Sequence, residues 1–343
     1  MLLPIFLTAN QPPDRFYSGG PAIAAFRSAP GGDTRVPEDW LGSTTTLFGE
    51  DKLGLSTLPD GTTLREVVNS NPLAWLGSQH VRCFAADTMM LVKLIDAGQR
   101  LPVHIHPDGD FAARSLGHTH GKAEAWIILR PGVVHLGFKR PISASELAGW
   151  VETQNSAAML ENMNTVEVLP GHVVYVPPGV PHAIGKGIFL VEVQEPEDLS
   201  ILLEWNGFDI DGVTHGHLGL GFDVALTAAD RSPWTEGELE SLLCQDMSES
   251  GRLLPHAASQ YFRVQYVRST DQDLQTAGFS ILVVIRGQGI LETAPKKREI
   301  APISFEVRTG DTVLVPYDFG DFRLLGDVES IRLQPPQAKG NSL

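Results

Sequence analysis

Residues 98–106 read GQRLPVHIH and residues 171–182 read GHVVYVPPGVPH. In the first, Gly98 is followed after five residues by His104, and His106 comes two later. In the second, Gly171 is followed after five residues by Pro177, and then by Gly179 and His182. Side chains alternate along a strand with period two, so His104 and His106 share a face. A third segment between them, GKAEAWIIL at 121–129, carries Glu124. Three imidazoles and a carboxylate on neighbouring strands make a donor set that suits a divalent transition metal.

These paired spacings resemble the two motifs of the cupin superfamily, a small antiparallel barrel with a metal at its centre. The interval from His106 to Glu124 is long for a simple cupin, which implies an inserted loop. The resemblance narrows with KLIDAGQRLPVHIHPDGDFA at 93–112, GKAEAWIIL, and VYVPPGVPHAIGKGIFLVEVQEPEDLSILLEW at 174–205. Together these stretches look like the type I mannose-6-phosphate isomerases, zinc enzymes that interconvert mannose 6-phosphate and fructose 6-phosphate. EDWLGSTTTLFGEDKLGLSTLPDGTTLREVV at 38–68 extends the likeness upstream.

Carried over by position, the metal ligands are His104, His106, Glu124 and His182. The family usually has glutamine where this chain has His104. Imidazole serves zinc well, and it also leaves manganese, iron or nickel open. Lys122 matches the family's lysine two residues before the glutamate ligand, which puts it on the face of Glu124. The family also has an arginine near the position of Leu202. Here that stretch reads EDLSILLEW, and no lysine or arginine occurs between Lys186 and Arg231. That departure leaves room for another sugar, for a substrate without phosphate, or for a binding protein without activity.

Aldose–ketose isomerisation needs a group to move a proton between adjacent carbons and a way to hold the enediolate charge. Candidate proton carriers are Lys122, Glu192 and Asp198. Arg114, His118 and His120 lie in the loop before Glu124 and are candidates for contacting substrate. A metal-dependent oxygenase is a further reading of the same donor set.

The chain has 343 residues and a net charge of −15. Such a balance argues against nucleic acid and anionic membranes as partners, and any anionic substrate must meet local cations. Two cysteines, Cys83 and Cys244, make no disulfide framework. The opening MLLPIFLTANQPPD has no basic residue ahead of its apolar run and does not read as a leader. No stretch reaches the ~18 apolar residues of a membrane span. The expected setting is cytoplasmic, with a small sugar or sugar phosphate as partner and a monomer or homodimer as assembly.

The fold expectation is mainly β, with two cupin, jelly-roll-like barrels and inserted helical segments. Residues 1–215 are expected to form the metal-binding barrel, with helices near 62–77 and 142–164. Residues 216–250 are expected to connect, with a helix in TEGELESLLCQDM at 235–247 whose Thr235 and Glu238 make a capping box. Residues 251–343 are expected to form a second barrel without metal ligands. There RTGDTVLVP repeats the second motif, Phe319 takes the place of a histidine, and GQG at 287–289 is expected to turn.

Overall fold

The computed structural model describes residues 1–31, 33–245, 253–269, 274–294 and 301–338. The strands begin with β1 (Ile5–Phe6), β2 (Glu38–Leu41), β3 (Leu91–Asp96), β4 (His104–Ile105), β5 (Glu124–Arg130) and β6 (Gly132–Phe138). They continue with β7 (Met163–Val168), β8 (Val173–Val176), β9 (His182–Ile184), β10 (Phe189–Gln194), β11 (Ile201–Leu202) and β12 (Leu243–Cys244). The last are β13 (Arg263–Arg268), β14 (Ser280–Thr293), β15 (Ser304–Arg308), β16 (Thr312–Val315) and β17 (Phe322–Gln334). The expected mainly β, antiparallel architecture is the one found.

Two sheets build the first unit. One has the order β12-β8-β5-β10-β3-β2 and the other β11-β4-β9-β6-β7. One apolar cluster takes Trp126, Ile128 and Leu190 from the first sheet and Val134, Leu136 and Ile184 from the second. The sheets therefore pack face to face, and burial of each such side chain contributes about 1.5–3 kcal/mol.

Register decides what that interior holds. Trp40 pairs with Lys93, Lys93 with Glu192, and Glu192 with Trp126 across β2, β3, β10 and β5. One row over, Gln194 pairs with Glu124. Residues directly opposite share a face, as do residues two apart. Glu38, Lys93, Glu192 and Glu124 thus line one polar stripe on the inner face of a sheet otherwise read as apolar. On the facing sheet Leu202 pairs with His104, His104 with His182, and His182 with Leu136.

The helices fall near the expected places, with shifted ends. Beyond a short helix at Pro21–Phe26, the first of the expected ones runs Leu64–Ser70, and Thr63 and Glu66 cap it reciprocally. Asn71 then caps a second helix, Pro72–Leu76. A third, Ser78–Phe84, lies beyond the expected segment. It has no side-chain cap, so it carries no start signal in sequence. The 142–164 segment is two helices, Ala144–Glu152 capped by Ser143 and Ser156–Asn162 capped by Asn155. The Thr235–Glu238 capping box forms, but its helix stops at Ser241. Leu243 and Cys244 then pair with β8, where the sequence suggested helix; Met247 and its predecessor lie outside the described residues.

In the second unit β1, β16, β14, β17 and β13 form one sheet, with β15 added to β14. Leu282, Val284, Val313, Val315, Phe322 and Leu324 form its apolar interior. Phe319 is buried there, with its ring 6.2 Å from that of Phe322. The expected turn at 287–289 is not one: Gly287, Gln288 and Gly289 lie within β14. The register with β17 shifts between Val284 and Arg286, and Gly287 has φ +77. A Cβ at Gly287 would sit 1.9 Å from the Asp327 carbonyl oxygen. The glycine serves a bulge that bends a long strand. Among the described residues no helix is long and apolar enough to cross a membrane.

Candidate active site

His104, His106 and His182 are buried, and one donor nitrogen from each lies within 4.8 Å of the others. Their backbones fix how they present. His104 Nδ1 lies 2.8 Å from the Pro102 carbonyl oxygen, His106 Nδ1 2.7 Å from that of Leu199, and His182 Nδ1 2.8 Å from that of Val180. A carbonyl only accepts, so each Nδ1 carries a hydrogen, which in a neutral ring leaves the Nε2 lone pair facing inward. Burial, with Lys122 close by, pushes His106 down to about 3, so its ring is neutral. Burial likewise holds His104 well below its ordinary value.

Glu124 completes the set. Its Oε2 lies 3.0 Å from His106 Nε2 and its Oε1 3.2 Å from His182 Nε2. Acceptors that close repel unless a cation lies among them. His182 Nε2 is sealed from solvent and has no hydrogen-bond partner among the described residues. Lys122 Nζ meets the cluster at 2.7 Å from Glu124 Oε2 and 2.7 Å from His106 Nε2. Burial alone would raise the Glu124 carboxyl, but Lys122 holds it well below the carboxylate range. Oriented imidazoles and an ionised carboxylate are a donor set able to hold a divalent metal ion.

A cavity of about 40 Å³ adjoins the cluster, and His104, Lys122, Glu192 and Asp198 all line it. The three proposed proton carriers are therefore neighbours, although they span 77 positions of chain from Lys122 to Asp198. Glu192 Oε2 is buried without a hydrogen bond among the described residues. Burial and the Glu124 charge raise the Glu192 carboxyl, while Lys93 at 3.5 Å opposes.

Arg15, Tyr17, Glu38 and Lys93 line the same cavity, and sequence reading missed all four. Glu38 is the hub. Its Oε1 accepts from Arg15 Nε at 2.9 Å and from the Tyr17 hydroxyl at 2.9 Å. Its Oε2 accepts from Trp40 Nε1 at 2.9 Å, with Lys93 Nζ 3.5 Å away. Burial would raise its carboxyl, but Arg15 and Lys93 hold it well below the usual range. Alternation in Glu38-Asp39-Trp40 and the lone lysine in LVKLID were the available signals.

Removing one partner of a buried charge cluster costs about 3–5 kcal/mol. Glu38→Gln is therefore expected to lower stability by about that amount at neutral pH. A depressed folded value contributes stability above the unfolded value, near pH 4.3 for a glutamate, and loses it as acid protonates the folded carboxyl. The gap between wild type and variant should be full above about pH 5 and should narrow below about pH 4. Urea melts across pH check this, and a gap independent of pH would contradict it.

His118 and His120 line a wider cleft of about 840 Å³ whose wall includes Asp198. His118 Nδ1 lies 2.9 Å from Glu197 Oε2, and His120 Nε2 lies 2.7 Å from Asp87 Oδ2. Burial works to lower His120, but the bond to Asp87 outweighs it and raises the ring. Arg114 is exposed on a helical turn, Ala112–Leu116, and lines neither space.

Two facing antiparallel sheets with inward imidazoles and a carboxylate define the cupin class. No family model matches the chain. It is similar in sequence to mannose-6-phosphate isomerase ManA of Bacillus subtilis, 28% identical over 251 residues that cover 71% of this chain and 73% of the relative. It is also similar to mannose-6-phosphate isomerase of Streptococcus mutans, 26% identical over 290 residues covering 81% and 85%. The fold matches the mannose 6-phosphate isomerase of Bacillus subtilis (TM-score 0.67, 21% identity, 97% and 100% covered). It matches the apo enzyme of Salmonella typhimurium equally broadly (TM-score 0.72, 14% identity, 98% and 100% covered). The chain is homologous to mannose-6-phosphate isomerases and shares their fold.

Proposed function

We propose that this protein is a zinc-dependent aldose–ketose isomerase that interconverts mannose 6-phosphate and fructose 6-phosphate through an enediol. One observation carries the reading. His104 of the donor set and the proton carriers Lys122, Glu192 and Asp198 line a single cavity. The names of the sequence relatives support the substrate.

His104, His106, Glu124 and His182 would hold the ion. When bound, zinc polarises the sugar carbonyl and orients the adjacent hydroxyl. Lys122, which contacts two of the ligands, would take the proton from carbon 2 of the aldose as its neutral amine. Glu192, whose carboxyl is raised, is placed to hold a proton for delivery to carbon 1. The hydroxyl proton passes from oxygen 2 to oxygen 1, so no atom is gained or lost. Apolar Ile95, Leu101 and Leu202 line the same cavity and limit water around the enediol.

Isomerisation of an unphosphorylated sugar is the second reading. The apolar Leu202 directly opposite His104 favours it. Zinc-loaded protein incubated separately with mannose 6-phosphate and with fructose 6-phosphate should reach the same mixture from both sides. Failure to convert either one, with mannose converted instead, would select the second reading.

A further inference from the structure

The pocket must supply its own cations, since the chain carries −15 overall and has no lysine or arginine from 187 to 230. Three cations line the metal cavity: Arg15, Lys93 and Lys122. Lys122 is engaged with Glu124 and His106. Lys93 stands between two carboxylates, 3.5 Å from Glu38 and 3.5 Å from Glu192, and 4.7 Å above the Trp40 ring.

Arg15 differs. Its Nε donates to Glu38 at 2.9 Å, and its guanidinium lies 5.4 Å from the centre of the Phe16 ring. No hydrogen bond engages its two terminal nitrogens among the described residues, and neither is among the buried unpartnered atoms. The backbone holds the segment in place, because Arg15 N–H donates to the Arg35 carbonyl at 3.2 Å. Glu38 is itself fixed by Tyr17 and Trp40, so it acts as a positioning residue for the arginine. The result is a pre-aimed planar fork at the edge of the cavity, the geometry that recognises phosphate oxygens in pairs.

We propose that Arg15 is the phosphate-recognising cation of this site. It reaches the cavity from the N-terminal segment, and Leu202, which also lines that cavity, offers no charge. This rests on the isomerase reading for its substrate but not for its test. Arg15→Gln and Arg15→Lys are prepared as zinc-loaded proteins. Inorganic phosphate is titrated by phosphorus NMR, and kcat and KM are measured with mannose 6-phosphate and with mannose.

Losing a bidentate, charge-assisted pair should weaken phosphate binding by about 10- to 100-fold in Arg15→Gln. KM for mannose 6-phosphate should rise in parallel, and the loss should exceed that with mannose by about tenfold or more. Arg15→Lys keeps the charge and the Glu38 pair but lacks the fork, so it should recover only part. Equal losses with both sugars, or unchanged phosphate binding, would overturn the proposal. If wild type turns over no sugar, the isomerase reading fails, and the phosphate titration still decides Arg15. If Arg15→Gln does not fold, Arg15→Lys decides it by the same titration.

Discussion

Replacing His182 with alanine is expected to abolish bound metal and to lower turnover by about a thousandfold or more. His182 enters the site from β9, opposite His104, with Nδ1 held by the Val180 carbonyl and Nε2 without a hydrogen-bond partner among the described residues. Its ring centroid lies 5.5 Å from that of Trp126 and 4.1 Å from that of His104. Metal analysis should find well under one ion per chain, and kcat should fall with it. A variant that keeps a full metal complement and wild-type kcat would show that the imidazoles are a packed core cluster and nothing more.

The second large effect is at Lys122. It is buried, and its Nζ touches two of the four proposed ligands. If it carries the substrate proton, Lys122→Met should keep the metal and lose about 10²- to 10⁴-fold in kcat, the usual contribution of a positioned acid or base. Glu124 loses a counter-charge in that variant, but the ion supplies one. Loss of metal in step with loss of activity would make Lys122 a prop for Glu124. A kcat within about threefold of wild type, with metal bound, would remove Lys122 from the chemistry.

These expectations rest on parts of the molecule that differ in how readable they are. The histidines show through because a strand period of two needs only local sequence, and Gly and Pro mark the turns that bound it. The link from His104 to His182 and Glu124 is nonlocal and came from the family likeness, then from the pairing of β4 with β9. The polar stripe of Glu38, Lys93 and Glu192 was hidden, because buried charges on strands resemble ordinary alternation until register aligns them. Arg15 was hidden further, in a loop segment with no periodicity. At 287–289 the glycines are as compatible with a bulge as with a turn, and only the pairing of β14 with β17 decides. The helix at 235–241 was right at its capped start and overlong at its end, because β12 pairing with β8 outweighed helix propensity.

The most direct test of the central claim is deuterium exchange at carbon 2 of mannose 6-phosphate. Zinc-loaded protein in deuterated water should catalyse exchange together with formation of fructose 6-phosphate, and a chelator should stop both until zinc is returned. Fully metal-loaded protein that exchanges nothing at carbon 2 would contradict the account.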